Sequence, residues 1–229
     1  MTATTAPGRR RQRPPSGPFR RAFLVLGLTM ILAGIGFLLY CAWQYYGTNI
    51  ISKQKHADIK QSIAANWDNG IDGDDIGLLR VKRFGDDYEV PIVKGFDDDA
   101  LASGVGWDPK SADPGQIGNF AIAAHRVTHG EPFAKFPELR KGDKVVVETR
   151  EKIFTYRLRQ GGQDITVDFS VGWPLQRVPD PDAAGERPTE AVITMLTCAE
   201  LFHTRNRNVV IGDLIREKDK RTGETTKIR

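Results

Sequence analysis

Val192-Ile193-Thr194-Met195-Leu196-Thr197-Cys198 decides how this chain folds and where its chemistry lies. The run is short, β-branched and apolar, and a second such run follows at residues 208–214, so it reads as a buried strand rather than a helix. It ends on a thiol. The chain holds two cysteines, and the other, Cys41, lies in a long apolar stretch near the N-terminus. Cys198 is therefore left without an obvious disulfide partner. An unpaired thiol closing a strand, with His125 upstream and Arg207 just downstream, points to a nucleophile.

Outward from this run the pattern is of short strands punctuated by Gly and Pro. Residues 78–84 and 88–93 flank Gly85-Asp86-Asp87, a hairpin turn. Residues 120–124 form a short apolar strand after Pro114-Gly115, and Lys141-Gly142-Asp143 introduces Val145-Val146-Val147. Phe154, Tyr156 and Leu158 alternate with polar neighbours, as do Ile165, Val167, Phe169 and Val171. A period of two marks half-buried strands. Only residues 132–139 read as a short helical turn. The pattern predicts an all-β fold, a closed barrel or a sandwich. About 150 residues remain for it, enough for one domain with one core.

The N-terminal third is different. Residues 22–43 are apolar and uncharged, about the 20 residues needed to span a bilayer as a helix. Arg9, Arg10, Arg11, Arg13, Arg20 and Arg21 stand ahead of it, and no acidic residue precedes Asp58. Basic flanks stay cytoplasmic, which places the N-terminus inside and the rest outside the cell. Trp43, Tyr45 and Tyr46 suit the outer aromatic belt. A cleaved signal peptide would show a shorter apolar region and a small-residue cleavage site, whereas Trp-Gln-Tyr-Tyr follows here. The expected organisation is a cytoplasmic basic tail (1–21), a transmembrane anchor (22–43), a polar stalk partly helical around residues 56–67 (44–76), a catalytic domain (77–216) and a C-terminal tail (217–229).

The formal net charge of +4 is no sign of nucleic-acid binding, because the arginine cluster serves topology. The acidic stretches Asp72-Gly73-Asp74-Asp75 and Asp97-Asp98-Asp99 lack the spacing of an EF-hand and read as solvated loops.

The chemistry needs partners for the thiol. A free thiol with a pKa of about 8.5 is mostly protonated at neutral pH. A histidine can take its proton and return it to a leaving amine, and a fixed cation can hold the oxyanion formed in acyl transfer. Of the four histidines, His56 lies in the stalk, His129 and His203 lie in loop-like sequence, and His125 closes the strand Phe120-Ala121-Ile122-Ala123-Ala124.

These residues resemble the sortases, membrane-anchored cysteine transpeptidases of Gram-positive bacteria. Thr194-Met195-Leu196-Thr197-Cys198 is similar to the family's Thr-Leu-x-Thr-Cys signature, and Arg207 stands where the sortase arginine opens the next strand. The stretch from Gly118-Asn119 through His125-Arg126 to Pro132-Phe133 is similar to the catalytic-histidine region of the class E enzymes of actinobacteria. Class E sequences usually carry Gly at Ala124, an aromatic at His129 and His-Pro at Ala199-Glu200.

The resemblance implies an eight-stranded β-barrel with short helices, preceded by the transmembrane helix. It implies Cys198 as nucleophile, His125 as acid and base, and Arg207 as oxyanion holder. It also implies a Leu-Ala/Pro-x-Thr-Gly sorting signal on surface proteins as substrate, an amine of a peptidoglycan precursor or a pilin lysine as acceptor, and no metal or organic cofactor. Residues 172–188, with four prolines and Trp173, stand where sortases carry a substrate-contacting loop. Trp173, Ala124 and Thr197 are the candidate substrate-binding residues, and Glu200 is a candidate partner for Arg205 or Arg207. Two other functions fit the sequence: a non-catalytic membrane-tethered β-barrel that binds or scaffolds, and a hydrolytic cysteine peptidase of another fold.

Overall fold

A computed structural model describes residues 17–71, 75–200 and 205–228. The expectations for His203, for Asp72-Gly73-Asp74 and for most of the basic tail lie outside them. The chain divides into two units, residues 1–43 and 44–229.

The first unit holds α1 (Pro18–Ala42), which Pro18 opens at the first helical position, where its missing N–H costs nothing. The helix has no buried residue, and it is long and apolar enough to cross a membrane.

The second unit begins with a π-helical turn and α2 (Thr48–Asp68). The expected stalk, partly helical around residues 56–67, is helical over the whole of Thr48–Asp68. Its buried face carries Asn49, Ser52 and His56 before Ile63, so a search for an apolar stripe misses it.

Ten strands follow among the described residues: β1 (Asp75–Val81), β2 (Glu89–Lys94), β3 (Val105–Trp107), β4 (Gly118–Ala123), β5 (Lys144–Glu148), β6 (Lys152–Leu158), β7 (Ile165–Asp168), β8 (Ala191–Cys198), β9 (Asn206–Asp219) and β10 (Thr225–Lys227). Between β2 and β3 lies the short helix α3 (Asp98–Ser103). Hydrogen bonding runs β9-β6-β5-β1-β2-β3-β4-β8, and β8 pairs back onto β9 to close an eight-stranded barrel. The pairings are antiparallel except β2–β3 and β4–β8. Strands β7 and β10 add to the free edges of the long β9. That strand serves β8 and β7 with its first half and β6 and β10 with its second, and its pairing with β6 shifts register between Thr155 and Tyr156, which takes up Ile215 as a bulge.

Inside the barrel, Leu79, Val81, Ile92, Phe120, Ile122, Val147, Tyr156, Ile193, Met195 and Val210 make one core. Outside it, Val192, Val209 and Ile211 form a second apolar cluster, covered by Ile165, Val167 and Trp173.

Several local expectations need correction. The acidic run Asp97-Asp98-Asp99 is exposed, as expected, but it opens a helix rather than forming a loop. Asp97 caps α3, its carboxylate accepting the Ala100 N–H at 2.9 Å, and Asp98 and Asp99 fill the first turn, where the helix dipole favours negative charge. The alternation at residues 165–171 makes strand only as far as Asp168, and Phe169 and Val171 are exposed. The stretch 217–229, expected as a C-terminal tail, holds the end of β9 and all of β10.

Candidate active site

Strand alternation decides which side chains of β8 reach solvent. Ile193 and Met195 point into the core, so Thr194, Leu196 and Cys198 point outward. On β9, Val210 and Leu214 are interior, so Arg207 shares the outer face with Val209 and Ile211. On β4, Phe120, Ile122 and Ala124 are interior, so His125 emerges outside as well.

Pairing brings the three outward residues to one barrel end. Cys198 lies directly opposite Arg207 in the antiparallel β8–β9 ladder. The next pair is hydrogen-bonded, with Ala199 N–H donating to Asn206 O at 3.1 Å. Cys198 and Arg207 therefore hold the non-hydrogen-bonded position, where facing side chains approach most closely. In the parallel β4–β8 ladder Ala123 is level with Leu196. Past the end of β4, Ala124 N–H still donates to Leu196 O at 3.2 Å. The Thr197 hydroxyl donates to Ala124 O at 2.8 Å, and the Arg126 guanidinium donates to the Ala199 carbonyl. These bonds keep the chain that carries His125 beside the end of β8.

Cys198, His125 and Arg207 line one groove of about 850 Å³. Leu196 and Thr197 contribute to its floor, Phe96, Asp98 and Leu101 of the α3 region form one wall, and Phe169 and Leu175 form another. Cys198 is half-buried and free of any disulfide. The His125 Nε2 is buried with no hydrogen-bond partner among the described residues. The His125 ring stacks on His129, with centroids 4.5 Å apart and planes 27° from parallel. Burial, and then the neighbouring His129, push the His125 pKa down to about 4, against a smaller opposing pull from Asp98. The imidazole is neutral at pH 7 and can act as a proton acceptor.

The expected substrate-contacting residues separate. Ala124 lines the groove while its methyl joins the core. Thr197 is buried, with its hydroxyl engaged by Ala124. Trp173 is not on the groove; it packs over the cluster of Val192, Val209 and Ile211. Its loop is pinned there by Asn119, whose Nδ2 donates to Pro174 O and Gln176 O, both at 2.9 Å. Leu175 and Phe169 take the groove-facing positions instead. Glu200 Oε1 accepts from Asn206 Nδ2 at 2.9 Å. Arg205 pairs with Asp168 at 3.1 Å and lies 5.1 Å from the Phe169 ring centre.

Three features escaped the sequence reading: the His129 stack, the Arg126 tie and the α3 wall. For Arg126 a signal existed, since an arginine directly after a strand-end histidine in apolar surroundings needs acceptors. For the other two, the partners meet only through tertiary packing.

A closed barrel thus carries a thiol, an imidazole and a guanidinium on one outer groove. Residues 79–215 match the sortase domain, and the chain belongs to the sortase family. It is 29% identical to sortase SrtE1 of Streptomyces coelicolor over 87% of this chain and 59% of that protein. It thus spans about three-fifths of that relative's length. With sortase SrtE2 of the same organism it shares 27% identity, over 91% of this chain and 88% of the other. Sortase E from Streptomyces avermitilis superposes with a TM-score of 0.57 at 29% identity, over 66% of this chain and 93% of the other.

Proposed function

We propose that this protein is a single-pass membrane sortase with its N-terminus in the cytoplasm and its barrel outside. It cleaves a Leu-Ala/Pro-x-Thr-Gly sorting signal on surface proteins between Thr and Gly, and joins the new carboxyl end to an amine of a cell-wall precursor. The observation that carries the reading is the convergence of Cys198, His125 and Arg207 on one groove outside the barrel. The arginine cluster before α1 supports the orientation.

The steps follow from the groups present. The Cys198 thiol gives its proton to neutral His125 as sulfur attacks the Thr carbonyl carbon. Negative charge moves to the carbonyl oxygen, where the permanently charged guanidinium of Arg207 stabilises it. The C–N bond then breaks, and the Gly amine leaves with the proton held by His125. A thioester on Cys198 remains. The acceptor amine attacks it, loses a proton to His125, and the C–S bond breaks as sulfur takes that proton back. Proton transfer of this kind contributes about 10²–10⁴-fold.

The test mixes the protein with a Leu-Ala-x-Thr-Gly or Leu-Pro-x-Thr-Gly peptide and an amine. Mass spectrometry should show the peptide truncated after Thr and carrying the amine. Product formation by Cys198→Ala would refute the assignment. Truncation without amine transfer would reduce the reading to a hydrolase.

A further inference from the structure

Helix α2 lies outside the matched sortase domain, and its buried face is polar. Buried polar groups are costly unless bonded, so their partners say what the face is for. Asn49 Oδ1 accepts the Gly130 N–H at 2.9 Å. Asn49 Nδ2 donates to Glu131 Oε1 at 2.5 Å. Two turns further along, the buried His56 ring lies against Gly130. A Cβ at Gly130 would come within 2.7 Å of His56 Cε1.

The segment Asn49 holds is conformationally costly. His129, Gly130 and Glu131 have φ of +54°, +82° and +55°. Glycine accepts this region freely, whereas the Cβ of each of the other two crowds its own backbone there. Such a turn persists where its surroundings over-determine it. Its first residue, His129, is the ring stacked on His125. One continuous series of contacts therefore runs from Asn49, through the left-handed turn and the His129 ring, to the imidazole in the groove.

We propose that α2 belongs to the working active site and that Asn49 is a positioning residue: by holding the turn His129-Gly130-Glu131 it sets the orientation of the His125 ring. This rests on His125 being the acid and base of the proposed transfer. Asn49 acts at second hand; it touches neither substrate nor sulfur. The helix that follows the anchor then serves the chemistry rather than acting only as a spacer.

The test uses the full-length protein in detergent micelles and three variants: Asn49→Ala, Asn49→Asp, and Asn49→Asp combined with Glu131→Gln. Asn49→Ala removes the bonds to Gly130 and Glu131 and a longer one from Nδ2 to Val127 O at 3.4 Å. Asn49→Asp keeps the acceptor for Gly130 N–H but sets a carboxylate against Glu131. The double variant restores a donor–acceptor pair with its direction reversed. We expect kcat to fall about 10–100-fold in Asn49→Ala with KM within about 2-fold, a smaller fall in Asn49→Asp, and recovery in the double variant. Hydrogen exchange should show lost protection at residues 127–133 in Asn49→Ala and its return in the double variant, with the barrel strands unchanged. Unchanged exchange in this segment, or a wild-type kcat in Asn49→Ala, would overturn the proposal. So would a fall in kcat accompanied by loss of protection throughout the barrel. If the wild-type protein forms no transfer product, the proposed function fails, and the exchange measurement still decides whether Asn49 holds the turn.

Discussion

The two faces of β8 share one backbone and do different work. Inward, Ile193 and Met195 are fully buried in an apolar core. Outward, Leu196 and Cys198 face a groove, and the residues around them carry unused polar capacity: Nε2 of His125 and Oγ1 of Thr194 are buried without partners among the described residues. The inner face is saturated and the outer face is not. A strand thus separates stability from chemistry by nothing more than the alternation of its side chains. The outer face can carry a reactive group because the inner face has already secured the strand.

The sharpest way to break this comparison is to truncate one residue on each face. Cys198→Ala should lower transfer by about 10⁴-fold or more, since no other group can form the thioester, and should leave the melting temperature nearly unchanged. Met195→Ala should do the reverse, costing about 2–5 kcal/mol of stability by opening a cavity while the folded fraction retains its kcat. Denaturant unfolding alongside peptide-transfer kinetics reads both. If Cys198→Ala unfolds the barrel or Met195→Ala abolishes turnover in folded protein, the division between the faces is wrong.

Arg207 extends the test to the neighbouring strand. Arg207→Lys keeps the charge but loses the planar fork. If the guanidinium holds the developing oxyanion, kcat should fall by about 10²–10³-fold with little change in unfolding free energy. A wild-type rate in the lysine variant would show that charge alone suffices.

Acid should weaken the barrel through groups on opposite sides of the same loop. Burial is the main cause holding both His56 and His125 down to about 4, whereas in the unfolded chain a histidine titrates near 6.5. Between these values the unfolded state binds the extra protons. Stability is therefore intact above about pH 6.5, declines as pH falls towards 4, and levels off below in this respect. The proton uptake on unfolding at pH 5 should drop by about one in His125→Gln, and by a similar amount in His56→Gln. Equal uptake in His125→Gln and wild type would mean that the ring is already protonated in the fold, and the neutral-base mechanism would fall with it.

Much of this was legible in the sequence, for identifiable reasons. Strands of period two declare themselves, and so does a strand-end thiol with nothing to pair with. β3 has only Val105-Gly106-Trp107 and no room for a period. β10 is exposed Thr225-Thr226-Lys227 and exists because β9 offers it an edge. The first half of α2 hides because its buried residues are polar, and the bonding partners of Asn49 are some eighty positions away. Trp173 misled because a tryptophan in a proline-rich loop suits a groove wall, yet the outer surface of β8 and β9 needed an apolar cover and took it. The thiol, imidazole and guanidinium announced themselves by residue type. The groups that orient them act through contacts that no spacing encodes.

Thr197 is where the faces meet, and it gives the smallest and most exacting prediction. Its side chain is buried, but its hydroxyl reaches the carbonyl of Ala124, the residue before His125. Thr197→Val keeps the shape and removes one hydrogen bond, leaving a buried carbonyl without that donor, which should cost about 1–2 kcal/mol. Thr194→Val is the control: it lies on the same strand, is equally buried, and its Oγ1 has no partner to lose among the described residues, so it should be neutral or stabilising. If the hydroxyl of Thr197 also fixes the chain at His125, Thr197→Val should slow transfer several-fold and Thr194→Val should not. Equal kinetics in the two variants would confine Thr197 to the stability of the inner face and leave the groove to be held by Arg126 and the His129 turn.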